Sequence, residues 1–114
     1  MIAAERAFTS EDWETTVSRA YYALYHAVIA LLENKTTVRR NRWEHVELHY
    51  LFRSQFAQRG FLFVVRDAED FERLHRQRLA ADYEQRGLSR RMTEDALRTA
   101  NRLYAKIREV ISNG

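Results

Sequence analysis

The sequence predicts an all-α protein, an antiparallel helical bundle of four main helices plus a short helix at the N-terminus. Three observations predict it. The chain has no proline and only three glycines in 114 residues, too few turn residues for a sandwich or barrel of many hairpins. Its apolar residues recur at the three-to-four spacing of a helix face. Hydroxyl and acidic residues that favour helix starts precede these stretches. With 46% hydrophobic and 12% aromatic residues, the chain can bury enough apolar surface to offset its ordering entropy. One domain, residues 1–114, is the expectation, and an enzyme with separate cofactor and substrate lobes is excluded by length.

Thr9-Ser10-Glu11-Asp12 resembles a helix start, a hydroxyl cap followed by acids, and periodic apolar residues then run from Trp13 to about Leu32. Residues 34–41 break the pattern, and residues 43–59 read as a second long helix ended by Gly60. The apolar run 61–65 is undecided between strand, helix and packed loop, because periodicity cannot assign so short a run. Helical spacing resumes near Asp67 through Phe71, Leu74 and Leu79 and stops near Gly87. Thr93, followed by Glu94 and Asp95, is the expected cap of a last helix carrying Ala96, Ala100, Leu103, Ile107 and Ile111.

The central helix has apolar residues on nearly every side: Val17, Tyr21, Leu24, Val28 and Leu31 form one stripe, and Tyr22, Tyr25, Ile29 and Leu32 a second. A third stripe mixes Arg19 and His26 with Ala23 and Ala30, so both polar residues are expected against protein or a cleft, either as satisfied core groups or as part of a site. On the fourth segment the line Phe71, Leu74, Arg78, Ala81 starts apolar and meets an arginine, while Phe71, His75, Arg78, Asp82 turns polar. Arg78 therefore points partly inward, and a fixed guanidinium is suited to holding a carboxylate or phosphate with two hydrogen bonds.

Charge and composition narrow the chemistry. Nineteen basic against sixteen acidic residues leave +3, which permits a phosphate-rich partner without requiring one. Lys35, Arg39, Arg40 and Arg42 cluster in one loop, and Arg98, Arg102 and Lys106 follow one helix face, where they either grip phosphate or solvate the surface. The absence of cysteine removes thiol nucleophiles and sulfur-ligated metals and fits a reducing compartment. His45 and His49 stand one turn apart, as two imidazoles sharing a metal do, but no glutamate follows His45 as a zinc-protease helix requires, and neither metal nor cofactor is expected. The longest apolar stretch, Ala20 to Leu32, falls short of the ~20 residues of a membrane span, and a cytoplasmic protein without membrane contact is the reading.

Two segments, in order, resemble the small prokaryotic branch of the HEPN family (higher eukaryotes and prokaryotes nucleotide-binding). Arg19-Ala20-Tyr21-Tyr22-Ala23, with His26 beyond it, is similar to the branch's RAYYA signature, and Arg78-Leu79-Ala80-Ala81-Asp82-Tyr83 to its RxxADY signature; His45 stands where relatives often carry a histidine. The resemblance implies a helical homodimer whose polar residues meet in a cleft that binds RNA or nucleotide. It further implies a toxin-like component of a toxin–antitoxin system, often paired with a minimal nucleotidyltransferase as antitoxin, and in many members a metal-independent endoribonuclease. Catalytic members carry a histidine four to six residues after the arginine; here those places hold Asp82, Tyr83 and Glu84. A tyrosine, with its ordinary pKa of about 10, is a poor base at neutral pH. The expected catalytic set is therefore Arg78, Asp82, Tyr83, His26 and His45, with a histidine from elsewhere moving protons, and Arg19, Arg39, Arg40, Arg42, Arg98 and Arg102 as the RNA- or nucleotide-binding set. The alternative is a noncatalytic dimerisation or protein-partner module. In the nucleotidyltransferase-controlled branch the position of the modified tyrosine holds Gln85 here, and the sequence does not decide whether Tyr83 is modified instead.

Overall fold

A computed structural model describes residues 1–58, 62–83 and 88–113, the side chains of residues 81–83 excepted. Among the described residues five helices follow in order: α1 (Ile2–Thr9), α2 (Trp13–Lys35), α3 (His45–Phe52), α4 (Val65–Tyr83) and α5 (Arg90–Ser112), with a π-helical turn, Arg53–Ala57, extending α3. The bundle measures 39 × 26 × 25 Å. No helix among the described residues is long and apolar enough to cross a membrane.

Helix α2 is the axis and packs against each of the other four. Its stripe of Val17, Tyr21, Leu24, Val28 and Leu31 is buried throughout, each fully buried large side chain contributing about 1.5–3 kcal/mol. The third stripe does not follow the expectation of a helix covered on nearly every side. Arg19, His26 and Ala30 are exposed, because α1, α3, α4 and α5 leave that side of α2 open within one chain.

The helix starts also differ from the hydroxyl caps expected. Helix α1 runs through Thr9, and Glu11 at φ 59° takes the left-handed position of a Schellman turn, in which Glu11 N–H bonds to Phe8 C=O at 3.0 Å and Asp12 N–H to Ala7 C=O at 2.9 Å. The cap of α2 is Asp12, whose carboxylate accepts from Thr15 N–H at 3.2 Å and from its hydroxyl at 2.8 Å. Likewise α5 starts three residues before Thr93: Ser89 Oγ accepts from Met92 N–H at 3.1 Å, and Thr93, buried inside the helix, donates back to Ser89 C=O at 2.9 Å. Both misplacements have one cause: several polar residues in a row offer equivalent caps, and packing selects among them.

The undecided run after α3 is a packed loop over its described residues 62–64; Gly60 and Phe61 lie outside them. Phe63 is fully buried, its ring edge-on to Phe52 at 5.2 Å and to Phe56 at 5.9 Å. Asp67 then fixes the start of α4. Its carboxylate accepts from Val64 N–H at 3.0 Å and from Lys106 at 2.8 Å and Arg102 at 3.0 Å on α5, while Arg102 also reaches Asp70 at 2.8 Å. Burial alone would raise the Asp67 carboxyl, but the bonds from Lys106, Val64 and Arg102 outweigh it and hold it below the usual range. Removing these acceptors with Asp67→Ala is expected to cost about 2–3 kcal/mol, less than a sealed ion pair would because Arg102 and Lys106 reach solvent. A thermal melt should record this as a fall in Tm of about 10 °C.

Candidate functional site

Where α2, α3 and α4 meet, aromatic rings and imidazoles stack around one tyrosine. Tyr21 is fully buried, and its hydroxyl lies 2.8 Å from His45 Nδ1 and 2.9 Å from His49 Nε2. The one-turn spacing of the two histidines that suggested a shared metal thus serves a shared hydroxyl. Among the described residues no group of three His, Cys, Asp or Glu side chains is arranged to hold a metal ion. From α4, His75 stacks on His45 with ring centroids 4.7 Å apart and on Tyr21 at 5.0 Å. Tyr25 closes one side, its hydroxyl donating to Trp43 C=O at 2.6 Å.

Arg78 stands one turn beyond His75 on α4 and is half-buried, its guanidinium carbon 4.6 Å above the Tyr22 ring. A cation on the face of an aromatic ring is held in orientation by the ring's quadrupole. The backbone of α4 continues helically through Asp82 and Tyr83, but their side chains lie outside the described residues, as do Glu84 and Gln85.

The local electrostatics favour neutral histidines. Burial, then the Arg78 charge, lowers the His45 pKa. Burial followed by His45, Arg78 and Arg76 lowers that of His75. Burial and the neighbouring His75 push His49 down to about 4, against the opposing charge of Glu72. Burial raises Tyr21 above the ordinary phenol value although Arg78 pulls the other way, so its hydroxyl keeps its proton. Neutral imidazoles beside a fixed guanidinium can accept and donate protons next to a bound anion. Between α3 and α4 a groove of about 390 Å³ opens beside this stack, lined by Val46, His49, Tyr50, Glu72, His75 and Arg76 among others.

Several residues expected at the site stand elsewhere. His26 is exposed on the open side of α2, in a shallow groove with Ala23, Ala27 and Tyr104. Arg102 is engaged by Asp67 and Asp70 and acts as a brace between α4 and α5. Arg39 turns its guanidinium onto the carbonyls of Glu33, Thr36 and Val38 at the end of α2. Arg40 pairs with Glu47 at 3.0 Å, and Arg98 with Glu94 at 3.4 Å and Asp95 at 3.6 Å. Arg19 and Arg42 are exposed, Arg42 close enough for its charge to act on Tyr25. The structure therefore joins Arg78 and His45 and adds Tyr21, Tyr22, His49 and His75, none of which motif reading had placed in the site. The signal for His75 lay in the polar line it shares with Arg78.

An all-helical domain with stacked imidazoles on α3 and α4 and an arginine one turn farther along α4 is the class these features define. The family model of the HEPN domain matches residues 1–110, and the chain belongs to that family, which relates it at the family level to nucleotide and RNA function. No curated protein and no solved structure matches the chain. The family's motif histidine follows the arginine, whereas His75 precedes Arg78 by three residues. At ~100° per residue, positions three before and four after an arginine fall within about 20° on the same helix face, displaced along it by about 10 Å. His75 thus presents an imidazole at the angle of a motif histidine four residues after Arg78, from the other side of the arginine, whereas one five or six residues after it would point about 80° or 180° away.

The buried imidazoles make stability acid-sensitive. Folded His49 takes its proton only near 4, against the ordinary 6.5, so between those values the unfolded chain binds more protons and stability falls as the pH falls, by about 3 kcal/mol in all from this group. Thermal melts from about pH 7.5 to 4.5 should show a steep loss in the wild type and a shallower one in His49→Phe. Equal slopes would mean that His49 is not held neutral.

Proposed function

We propose that this protein binds RNA at the cluster of Arg78, Tyr22, His45 and His75 and cleaves it without a metal, as the toxin-like component of a toxin–antitoxin pair. The observation that carries the reading is the guanidinium fixed on Tyr22 beside the stacked His45 and His75. Arg78 supplies the charge that a phosphodiester in its transition state demands, and an imidazole supplies proton transfer near neutral pH. The nucleophile is the RNA's own 2′-OH, attacking the adjacent phosphorus while the 5′-oxygen departs with a proton. Family membership supports an RNA or nucleotide ligand. The resemblance of the RAYYA and RxxADY segments supports a homodimer, which would cover the open side of α2, and a nucleotidyltransferase antitoxin as partner.

Purified protein should shorten single-stranded RNA in the presence of EDTA, and Arg78→Ala should reduce the rate by at least about a hundredfold while leaving the melting temperature within a few degrees. Cleavage that persists in Arg78→Ala rejects this cluster as the site. Binding that weakens with added salt and in Arg78→Ala, but without strand scission, favours instead the noncatalytic module, for which the missing motif histidine is the specific argument.

A further inference from the structure

The Tyr21 hydroxyl carries one proton and touches two ring nitrogens, His45 Nδ1 at 2.8 Å and His49 Nε2 at 2.9 Å. It donates to one ring, and the other ring must donate its own N–H to the hydroxyl oxygen. Each imidazole is neutral near pH 7, because burial and the surrounding charges disfavour its cation. Only two arrangements then satisfy both bonds: both histidines protonated at Nε2, or both at Nδ1.

A single buried atom separates the two. His49 is 7% exposed, and its Nδ1 is sealed from solvent with no hydrogen-bond partner among the described residues. A proton there would be a buried donor without an acceptor, a situation folded proteins rarely tolerate, whereas a bare ring nitrogen forgoes only an acceptor. The first arrangement therefore wins. The bonds run in one direction, from His49 Nε2–H to the Tyr21 oxygen and from the Tyr21 O–H to His45 Nδ1.

We infer that Tyr21 and His49 are positioning residues that lock His45 as a neutral imidazole with its proton on Nε2, making that nitrogen a fixed hydrogen-bond donor to a phosphate oxygen beside Arg78. His45 Nε2 has no hydrogen bond to any described residue, while Nδ1 is taken by Tyr21. A ring that already holds its proton on the free nitrogen cannot take one from a 2′-OH. His45 thus binds and polarises the phosphate, and the role of proton acceptor passes to His75, stacked on it at 4.7 Å. Neutral His45 adds a donor to the site without adding a second full charge next to Arg78. This deepens the RNA-binding reading and rests on it for the ligand; the tautomer itself does not.

Long-range proton–nitrogen NMR of the full-length, nitrogen-15-labelled protein at about pH 7.5 reads the ring protons directly. His45 and His49 should each show a protonated Nε2 and a bare Nδ1. The His45 Nε2–H signal should move on titration with a single-stranded 2′-deoxy dinucleotide, which carries the phosphate but cannot be cleaved. Tyr21→Phe should convert His45 to a mixture of tautomers and weaken dinucleotide binding about fivefold. A proton on Nδ1 of His45 in the wild type, or a Tyr21→Phe variant whose His45 tautomer is unchanged, overturns the lock. A His45 Nε2–H signal unmoved at saturating dinucleotide overturns the phosphate role. The wild-type spectrum decides the tautomer even if Tyr21→Phe fails to fold. Absence of RNA cleavage with the tautomer and the shift both present would reject the nuclease reading and leave this one standing.

Discussion

The Tyr21 side chain is the contact on which the site depends. It projects from the most buried face of α2, is sealed from solvent, and gathers imidazoles from two other helices, His45 and His49 from α3 by hydrogen bonds and His75 from α4 by stacking. A phenol is suited to this place because its ring is apolar enough for a core while its hydroxyl satisfies two ring nitrogens that would otherwise be buried at a cost. The same hydroxyl holds α3, a helix of only eight residues, in register with α2. The one-turn spacing puts His45 and His49 on one face of α3, and the buried Leu48 and Phe52 hold that helix to the core.

Around this contact the charges divide into two systems with different work. Arg102, Lys106, Asp67 and Asp70 hold α4 to α5 and start α4 at Val65. Their carboxylates are nearly sealed, 3% exposed for Asp67, and each has its donors, the condition under which buried charge is tolerated. Arg78, farther along α4, lies over the face of the Tyr22 ring. The brace sets where α4 lies, and that placement carries His75 onto the His45 and Tyr21 rings and Arg78 onto the Tyr22 ring.

Much of this was legible in the residues. The apolar stripe of α2, the resumption of a helix near Asp67 and the inward turn of Arg78 follow from 3.6-residue periodicity, a property of neighbours in the chain. Less legible was the fate of individual polar groups. Arg102 reads the same as Arg98 on a helical wheel, yet one meets two buried aspartates on α4 and the other lies on the surface beside Glu94 and Asp95. His26 sits in a signature-like segment beside Tyr25 but looks outward, whereas His75, outside both signature segments, joins the stack. Whether a polar side chain is consumed by a partner depends on residues distant in sequence, and no local pattern encodes that.

By itself the sequence determined the number and order of the helices, the main apolar stripe of α2 and the family that its two signature segments resemble, because these are set by local spacing and short strings. The tertiary structure alone decided that three histidines from two helices converge on one tyrosine, that a run of arginines is spent on caps and braces, and that α2 keeps an open side. Those outcomes follow from how helices of fixed length and crossing pack against one another. Packing is a property of the whole chain at once, and only there does a one-turn histidine pair become half of a hydrogen-bonded network.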